Sequence, residues 1–392
     1  MANITSPLTD WDLNNKRVLV RADLNVPIAH GTIINDYRLQ ALLPTIDYIQ
    51  SHGGKVIIMT HIGRPKQPTP TLSTQLLVPW FTERNYEITW AADAQQAMPE
   101  SFVDAKKILL LENLRFFSAE KSDDASFAKR LAALGDYYIN DAFGTLHRHD
   151  TSITLVPKFF APDKRGIGLL VQKELAMLNR LVLAPEQPFV LILGGGKASD
   201  KIPLLNHLID KAQTILLCPA IVFTFLKAQG IAVGKSLIDN QALPLCQALI
   251  AKAKKYDTNI CFPLDYQVAL DTLQGELIIV DANSIPENAI GMSIGPKTVE
   301  LFTQKINEAK TLFFNAAMGF ETRKETLRGT RSLLRAISKA QSFRVVGGGD
   351  SVAAAQMIHV DTQIDYLSTG GGATLAYLSG QKLPGLLALE DN

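Results

Sequence analysis

Cationic and amide side chains stand just past the apolar runs in the first half of the chain. Arg21, Asp23 and Asn25 follow Val18-Leu19-Val20, His61 and Arg64 follow Val56-Ile57-Ile58-Met59, Arg115 follows Ile108-Leu109-Leu110-Leu111, and His147 and Arg148 come shortly after Tyr138-Ile139. The planar fork of arginine matches carboxylates and phosphates bidentately. The second half puts glycine triplets at the same kind of position: Gly194-Gly195-Gly196 before Lys197, Gly347-Gly348-Gly349 before Asp350, and Gly370-Gly371-Gly372 after Tyr366-Leu367-Ser368-Thr369. Each triplet reads as a strand-to-helix turn, where unpaired N–H groups and the helix dipole favour an anion and glycine lets it approach the backbone. Two chemically different anion sites imply a phosphoryl group passing between two ligands.

Neither common nucleotide fingerprint accounts for these turns. A Walker A loop ending at Lys197 would need glycine where Leu191 stands and Ser or Thr where Ala198 stands, and no GxGxxG spacing occurs. The latter disfavours a dinucleotide-dependent dehydrogenase. The stretch Gly194 to Lys201 could be a tight turn with surface lysines, but Lys197 and Lys201 at a helix start oppose its dipole, and an anionic ligand would explain both. Asp350 reads equally as a helix N-cap or as an oxygen ligand for a phosphate-bound Mg²⁺. His61-Ile62-Gly63-Arg64-Pro65 could simply end a strand, and His147 with His149 lacks further ligand-type neighbours for a metal. With no Ser/His/Asp set, activated cysteine or Schiff-base lysine in evidence, the chemistry implied is direct in-line transfer resting on positioning and charge neutralisation.

The elements that must carry these residues alternate from Arg17 onward, short apolar runs with amphipathic stretches, the pattern of βα units and a parallel sheet. Over Tyr37 to Gln50, Leu39, Leu42, Leu43, Ile46 and Ile49 share one helical face, and Gly53-Gly54 ends the helix. Prolines and glycines between Pro157 and Gly168 break the alternation; a helix over Leu169 to Leu183 follows, and a second α/β domain starts near Gln187. In open α/β sheets ligands bind beyond the carboxyl ends of strands, where all of these residues fall.

With 392 residues, 47% hydrophobic and 20% charged, the chain has the composition of a packed globular protein of about two to three domains. A net charge of +1 gives no bulk basic face, so neither nucleic acid nor membrane is an expected partner. Three cysteines without CxxC spacing suit a reducing compartment, and the start of the chain has no apolar signal segment, so a cytoplasmic location is expected.

Arg21-Ala22-Asp23-Leu24-Asn25-Val26-Pro27, Thr60 to Pro65, Leu111-Glu112-Asn113-Leu114-Arg115-Phe116, Asn140 to Thr145, Leu193 to Lys201, Gly347 to Ser351 and Ser368 to Ala373 together closely resemble the phosphoglycerate kinase family, in order and over nearly the full chain. The resemblance implies two Rossmann-like parallel-sheet domains joined by a helix and facing across a cleft. These would be a phosphoglycerate-binding domain over 1–168, an interdomain helix over 169–186, a nucleotide-binding domain over 187–372, and a segment over 373–392 packing back on the first. It implies the glycolytic, reversible transfer from 1,3-bisphosphoglycerate to MgADP, giving 3-phosphoglycerate and MgATP, by a monomer that closes by hinge motion. Asp23, Asn25, Arg38, His61, Arg64, Arg115 and Arg148 would bind phosphoglycerate. Arg38, Lys197, Gly371 and Gly372 would serve the phosphoryl in flight. Lys197, Lys201, Gly295, Asn315, Glu321, Gly348, Gly349, Asp350 and Ser351 would hold the nucleotide, with Asp350 serving Mg²⁺.

The chain departs from the family pattern chiefly in its nucleotide half. Cys218-Pro219-Ala220-Ile221 stands where the family has Gly-Gly-Gly before Met or Ile, and Asn315-Ala316-Ala317-Met318-Gly319-Phe320-Glu321 is one residue shorter than usual. Added side chains in the first string should reshape the slot for the adenine. In the first half Leu146 replaces a usual alanine, and His149-Asp150 replaces Ala-His. An active kinase with altered purine contacts is the reading; the alternative is a relative that binds nucleotide or phosphate with impaired catalysis.

Overall fold

The computed structural model describes residues 7–92 and 107–390; the first and last residues of the expected end segments lie outside this range. Residues 1–176 with 382–392, and residues 177–381, form two compact units.

The first unit is built on a parallel sheet of six strands: β1 (Arg17–Ala22), β2 (Lys55–Met59), β3 (Glu87–Ala91), β4 (Lys107–Leu111), β5 (Tyr137–Asp141) and β6 (Arg165–Ile167), in the order β3-β4-β2-β1-β5-β6. Val18, Leu19 and Val20 are wholly buried, as befits a strand covered on both faces, and Val18 registers with Val56 on one side and Tyr137 on the other. Helix α1 (Tyr37–Ser51) buries Leu39, Leu42, Ile46 and Ile49 against this sheet's core, with Leu43 partly covered at the edge. It stops where Gly53 takes φ 76, a left-handed turn that glycine adopts without strain.

The second unit has a parallel sheet in the order β9-β8-β7-β13-β14-β15, formed by β7 (Phe189–Gly195), β8 (Thr214–Ala220), β9 (Asn259–Cys261), β13 (Thr311–Asn315), β14 (Phe343–Val346) and β15 (Tyr366–Leu367). This is the doubly wound order with its switch point between β7 and β13, the place where such sheets bind ligands. Between β9 and β13 the chain makes an antiparallel sheet, β11-β10-β12, from β10 (Asp265–Leu270), β11 (Leu277–Asp281) and β12 (Ala289–Ile294). The alternating pattern read from the sequence did not distinguish this insertion from further βα units.

Helix α2 (Leu169–Val182) runs from the first unit into the second, the division falling at Ala176. Its start is fixed by Asp141 at the end of β5, whose Oδ1 accepts the Val171 N–H at 3.0 Å. The space a side chain at Gly168 would need is filled by the same carboxyl, 2.3 Å from the ideal Cβ. Near the other end of the chain, Gly385 N donates to Leu146 O at 2.9 Å and Arg165 donates to Glu390 O at 2.7 Å, so residues 382–390 pack within the first unit. The preceding helix, Gly372–Leu378, belongs to the second unit.

Burial raises the Asp141 carboxyl to about 6. The folded state therefore holds this proton more tightly than the unfolded chain does. The stability it contributes is full below the ordinary carboxyl pKa of about 4 and is lost as pH rises through about 6. Asp141→Asn is expected to flatten the pH dependence of the denaturation midpoint across that window, checked by urea unfolding in steps of pH.

Candidate active site

On the first unit, the ends of β1, β2, β4 and β5 bring most of the sequence-selected cations together. A pocket of about 580 Å³ is lined by Arg64, Arg115 and Arg148, with Lys121, His147, His149 and Asp150. Arg115 is aimed by its own turn: its N–H donates to Asn113 Oδ1 at 3.1 Å and its Nη1 to Gly63 O at 2.6 Å. Asn113 in turn ties down Ile62 O and Leu72 O, each at 2.8 Å. Asn25 accepts the Gly63 N–H at 2.8 Å, so it shapes the Gly63-Arg64 turn. Asp23, nearly buried, pairs with Arg38 at 2.7 Å and holds that guanidinium at the start of α1.

Sequence reasoning missed Lys121 as a member of this pocket and gave Asp150 no part in it. Asp150 is buried, with Lys121 Nζ at 2.5 Å and Arg115 Nη2 at 3.7 Å. A carboxylate in a pocket of cations is explained by these contacts: it fixes two positive side chains that would otherwise repel each other. The replacement of the family's usual histidine by Asp150 was the available signal. Burial first, and then Arg148, hold His147 below the ordinary histidine pKa, leaving it neutral at pH 7. His61 is also buried and neutral, pushed well down by burial and then by Arg21, Arg115, Arg148 and Arg38.

On the second unit, Lys201 and Asn315 meet at the switch point of the sheet. Lys201 is 9% exposed and donates to Asn315 Oδ1, while Asn315 Nδ2 donates to Gly347 O at 2.6 Å. Three predicted elements, the glycine-lysine turn after β7, the end of β13 and the turn after β14, are thereby joined. Burial lowers Lys201 to about 8, against the opposing pull of Asp200 and Asp350. Gly348 adopts φ 93, and an ideal Cβ there would lie 2.3 Å from Asn315 Nδ2. Glycine is needed at that position on both counts.

Asp350, on a helix, and Glu321, on a turn, share a pocket of about 230 Å³ with Met318, Phe320, Arg331 and Met357. Gly349 begins the helix Gly349–Met357, on which Asp350 is exposed and Ser351 buried. Lys197 is exposed on the turn after β7. Gly371, with φ 51, and Gly372 open the helix Gly372–Leu378. Gly295 is different: its N–H donates to Asp265 O at 3.0 Å, its C=O accepts from Val299 N at 3.0 Å, and the Asp265 carboxyl fills the space beside its Cα. Both of its backbone groups are bonded inside the protein, and the glycine packs against Asp265.

The reshaped string begins with Cys218, buried and with its thiol pushed up by burial, followed by a cis Pro219-Ala220 bond. Gly194 lies against it, its ideal Cβ position 2.9 Å from Pro219 O.

Two parallel-sheet units, one with an arginine-lined anion pocket and one with a buried lysine among glycine turns, define the architecture of a phosphotransferase. The profile of the family described as Phosphoglycerate kinase matches residues 8–381. The phosphoglycerate kinase of Clostridium botulinum (strain Alaska E43 / Type E3) is 38% identical, over 98% of each chain, and phosphoglycerate kinase 1, chloroplastic, of Arabidopsis thaliana is 41% identical over 98% of this chain and 81% of that protein. The solved phosphoglycerate kinase of Coxiella burnetii superposes with a TM-score of 0.85 at 32% identity, covering 97% of this chain and 98% of its own. That of Pyrococcus horikoshii OT3 gives 0.82 at 29% identity, covering 98% of each. The chain belongs to the phosphoglycerate kinase family, and is thus a phosphotransferase with a carboxyl acceptor. A relative without catalysis finds no support in these matches.

Gly348→Ala should break the Lys201–Asn315–Gly347 chain. The expected result is a loss of about tenfold or more in ADP affinity by calorimetry, the scale of one hydrogen bond to a charged group, with 3-phosphoglycerate affinity unchanged.

Proposed function

We propose that the chain catalyses reversible transfer of a phosphoryl group between 1,3-bisphosphoglycerate and MgADP, with the two ligands held on separate units. The observation that carries this reading is the buried Lys201, whose side chain has Asn315 as its hydrogen-bond partner and lies at the sheet's switch point. A lysine withdrawn from water in this way favours a bound anion strongly.

Phosphoglycerate would be bound by Asp23, Asn25, Arg38, His61, Arg64, Arg115 and Arg148. Its phosphate suits the arginine pocket, whose cations outnumber the single carboxylate of Asp150. Nucleotide phosphates would be taken by Lys201, Asn315, Gly348, Gly349 and Ser351, and Glu321 would accept from the ribose hydroxyls. In the direction of ATP use, a carboxylate oxygen of 3-phosphoglycerate attacks the γ-phosphorus in line as the bond to the β,γ-bridging oxygen breaks, and ADP leaves with that electron pair. No proton has to move in this step. Lys197 and Arg38 would neutralise the charge spread over the transferring oxygens, and the N–H groups of Gly371 and Gly372 would add fixed dipoles. The loaded units must come together during turnover and expel water, since an acyl phosphate exposed to water hydrolyses.

Mg²⁺ fits the donor set: Asp350 offers an exposed carboxylate beside the Gly348-Gly349 turn, and magnesium is commonly held by one or two carboxylates together with substrate phosphates. When bound, it would supply charge neutralisation to the polyphosphate. Free cysteines support a cytoplasmic location, and the family resemblance supports a monomer. Ala220, the partly exposed residue of Cys218 to Ile221, would give the purine a different floor, so the relative affinities for ADP, GDP and IDP should depart from those of a typical family member, as competition binding would show.

The deciding assay is ADP formation from MgATP and 3-phosphoglycerate, with the acyl phosphate drawn off reductively. Turnover above about 10 s⁻¹ is expected, and its loss in Lys197→Ala with both ligands still bound. No turnover by the wild-type chain would overturn the reading. Because the free Lys201 ammonium has a pKa of about 8, bound phosphate should raise it and draw in a proton. Calorimetry in two buffers at pH 8 should report uptake of about half a proton per ADP bound, near zero at pH 6.5, and none in Lys201→Met.

A further inference from the structure

Behind the phosphoglycerate pocket, Arg21 at the end of β1 is wholly buried. Its Nε donates to Ser152 Oγ at 2.7 Å, its Nη1 to Ala22 O at 2.6 Å, and its Nη2 faces His61 Nδ1 at 3.3 Å. A guanidinium has donors and no acceptor, so Nδ1 of His61 has to accept. The proton of the neutral ring is then on Nε2. That nitrogen is shielded from solvent and meets no hydrogen-bond acceptor among the described residues. A buried donor left without an acceptor costs about 1–3 kcal/mol, an arrangement that a ligand oxygen would relieve.

The orientation of Arg21 is itself determined one step further in. Ser152 Oγ, accepting from Arg21, sends its own hydrogen to Glu120 Oε1 at 2.6 Å, and the Ser152 N–H goes to Glu120 Oε2 at 3.0 Å. Tyr138 Oη donates to Ser152 O at 2.8 Å and steadies the serine backbone. Glu120 is wholly buried and accepts both the N–H and the O–H of Ser152, so the guanidinium is linked to it through one hydroxyl. Carboxylate, hydroxyl, guanidinium and imidazole form a chain in which every hydrogen has one direction. Reversing any link would set two donors or two lone pairs against each other.

We infer that Glu120, Ser152 and Arg21 are positioning residues that hold His61 as the Nε2–H tautomer, a hydrogen-bond donor reserved for an oxygen of phosphoglycerate. The assignment of the oxygen rests on the proposed substrate role of His61; the tautomer does not. The opposite tautomer would present a lone pair to an anionic oxygen and repel it. This gives a mechanism by which residues that never touch the substrate govern its affinity.

The test uses the full chain with ¹⁵N-labelled histidine and long-range proton–nitrogen correlation at neutral pH. His61 is expected to show a protonated Nε2 and a bare Nδ1, with Nε2 moving most on addition of 3-phosphoglycerate. In Ser152→Ala and in the charge-neutral pair Arg21→Met with Glu120→Gln, both tautomers should be populated. KM for 3-phosphoglycerate should rise about tenfold, with KM for MgATP unchanged. A protonated Nδ1 in the wild type overturns the inference, and so does a folded variant that keeps the pure Nε2–H form and the wild-type KM. Should one variant not fold, the wild-type spectrum and the other variant still decide. If the tautomer is as assigned but 3-phosphoglycerate leaves both ring nitrogens unmoved, the substrate role of His61 falls and the positioning chain stands.

Discussion

Withdrawing cations from water is the constraint on which both halves of this protein depend. A lysine or arginine loses hydration when buried, and the loss is offset by hydrogen-bond acceptors placed around it. At Lys201 the protein supplies the oxygen of Asn315. Around Arg115 it supplies backbone carbonyl and the distant side of Asp150. Both are under-compensated, the state of a cation that an anionic ligand would complete. The fold follows from that need: parallel sheets put the carboxyl ends of several strands side by side, so residues far apart in sequence can share one incomplete charge environment.

The same constraint separates groups that meet the ligand from groups that make such meetings possible. Arg21 is as cationic as Arg115 but is satisfied on three sides by Ser152, Ala22 and His61. It is a component of the wall. Arg64 and Arg148 face the pocket. Neutral histidines complete the picture, because His61 and His147 are kept uncharged by burial and by the arginines around them. Each then adds directional hydrogen bonding without further repulsion among the cations.

Much of this was legible in the sequence. The buried strands announce themselves as unbroken apolar runs, α1 and α2 lie within a residue of their expected ends, and the glycine turns occupy the strand ends where they were expected. Local signals carry such features: periodicity, a left-handed glycine, a residue type just past a strand. What the sequence concealed depends on the third dimension. Glu120 and Ser152 are 32 residues apart and look like ordinary surface polars until the fold buries them together. Lys121 and Asp150 form a pair for the same reason. Gly295 packs against Asp265, with its backbone bonded to Asp265 and Val299, a contact that spacing along the chain could not reveal. The antiparallel insertion was missed because its strands have the same composition as parallel ones.

The margins of the two sheets bear on how the molecule tolerates company. In the two parallel sheets, β6 and β9 at two of the margins have three residues each and β15 at a third has two, against five in β3; the antiparallel sheet ends in β11 with five and β12 with six. A row of free backbone groups two or three residues long is too short a template for another chain to extend, and Pro162 and Lys164 interrupt or charge the approach to β6. Exposed pairing surface is what turns a folded enzyme into an aggregation seed when it is plentiful. Such blunt margins at β6, β9 and β15 leave little backbone for a second chain to pair with.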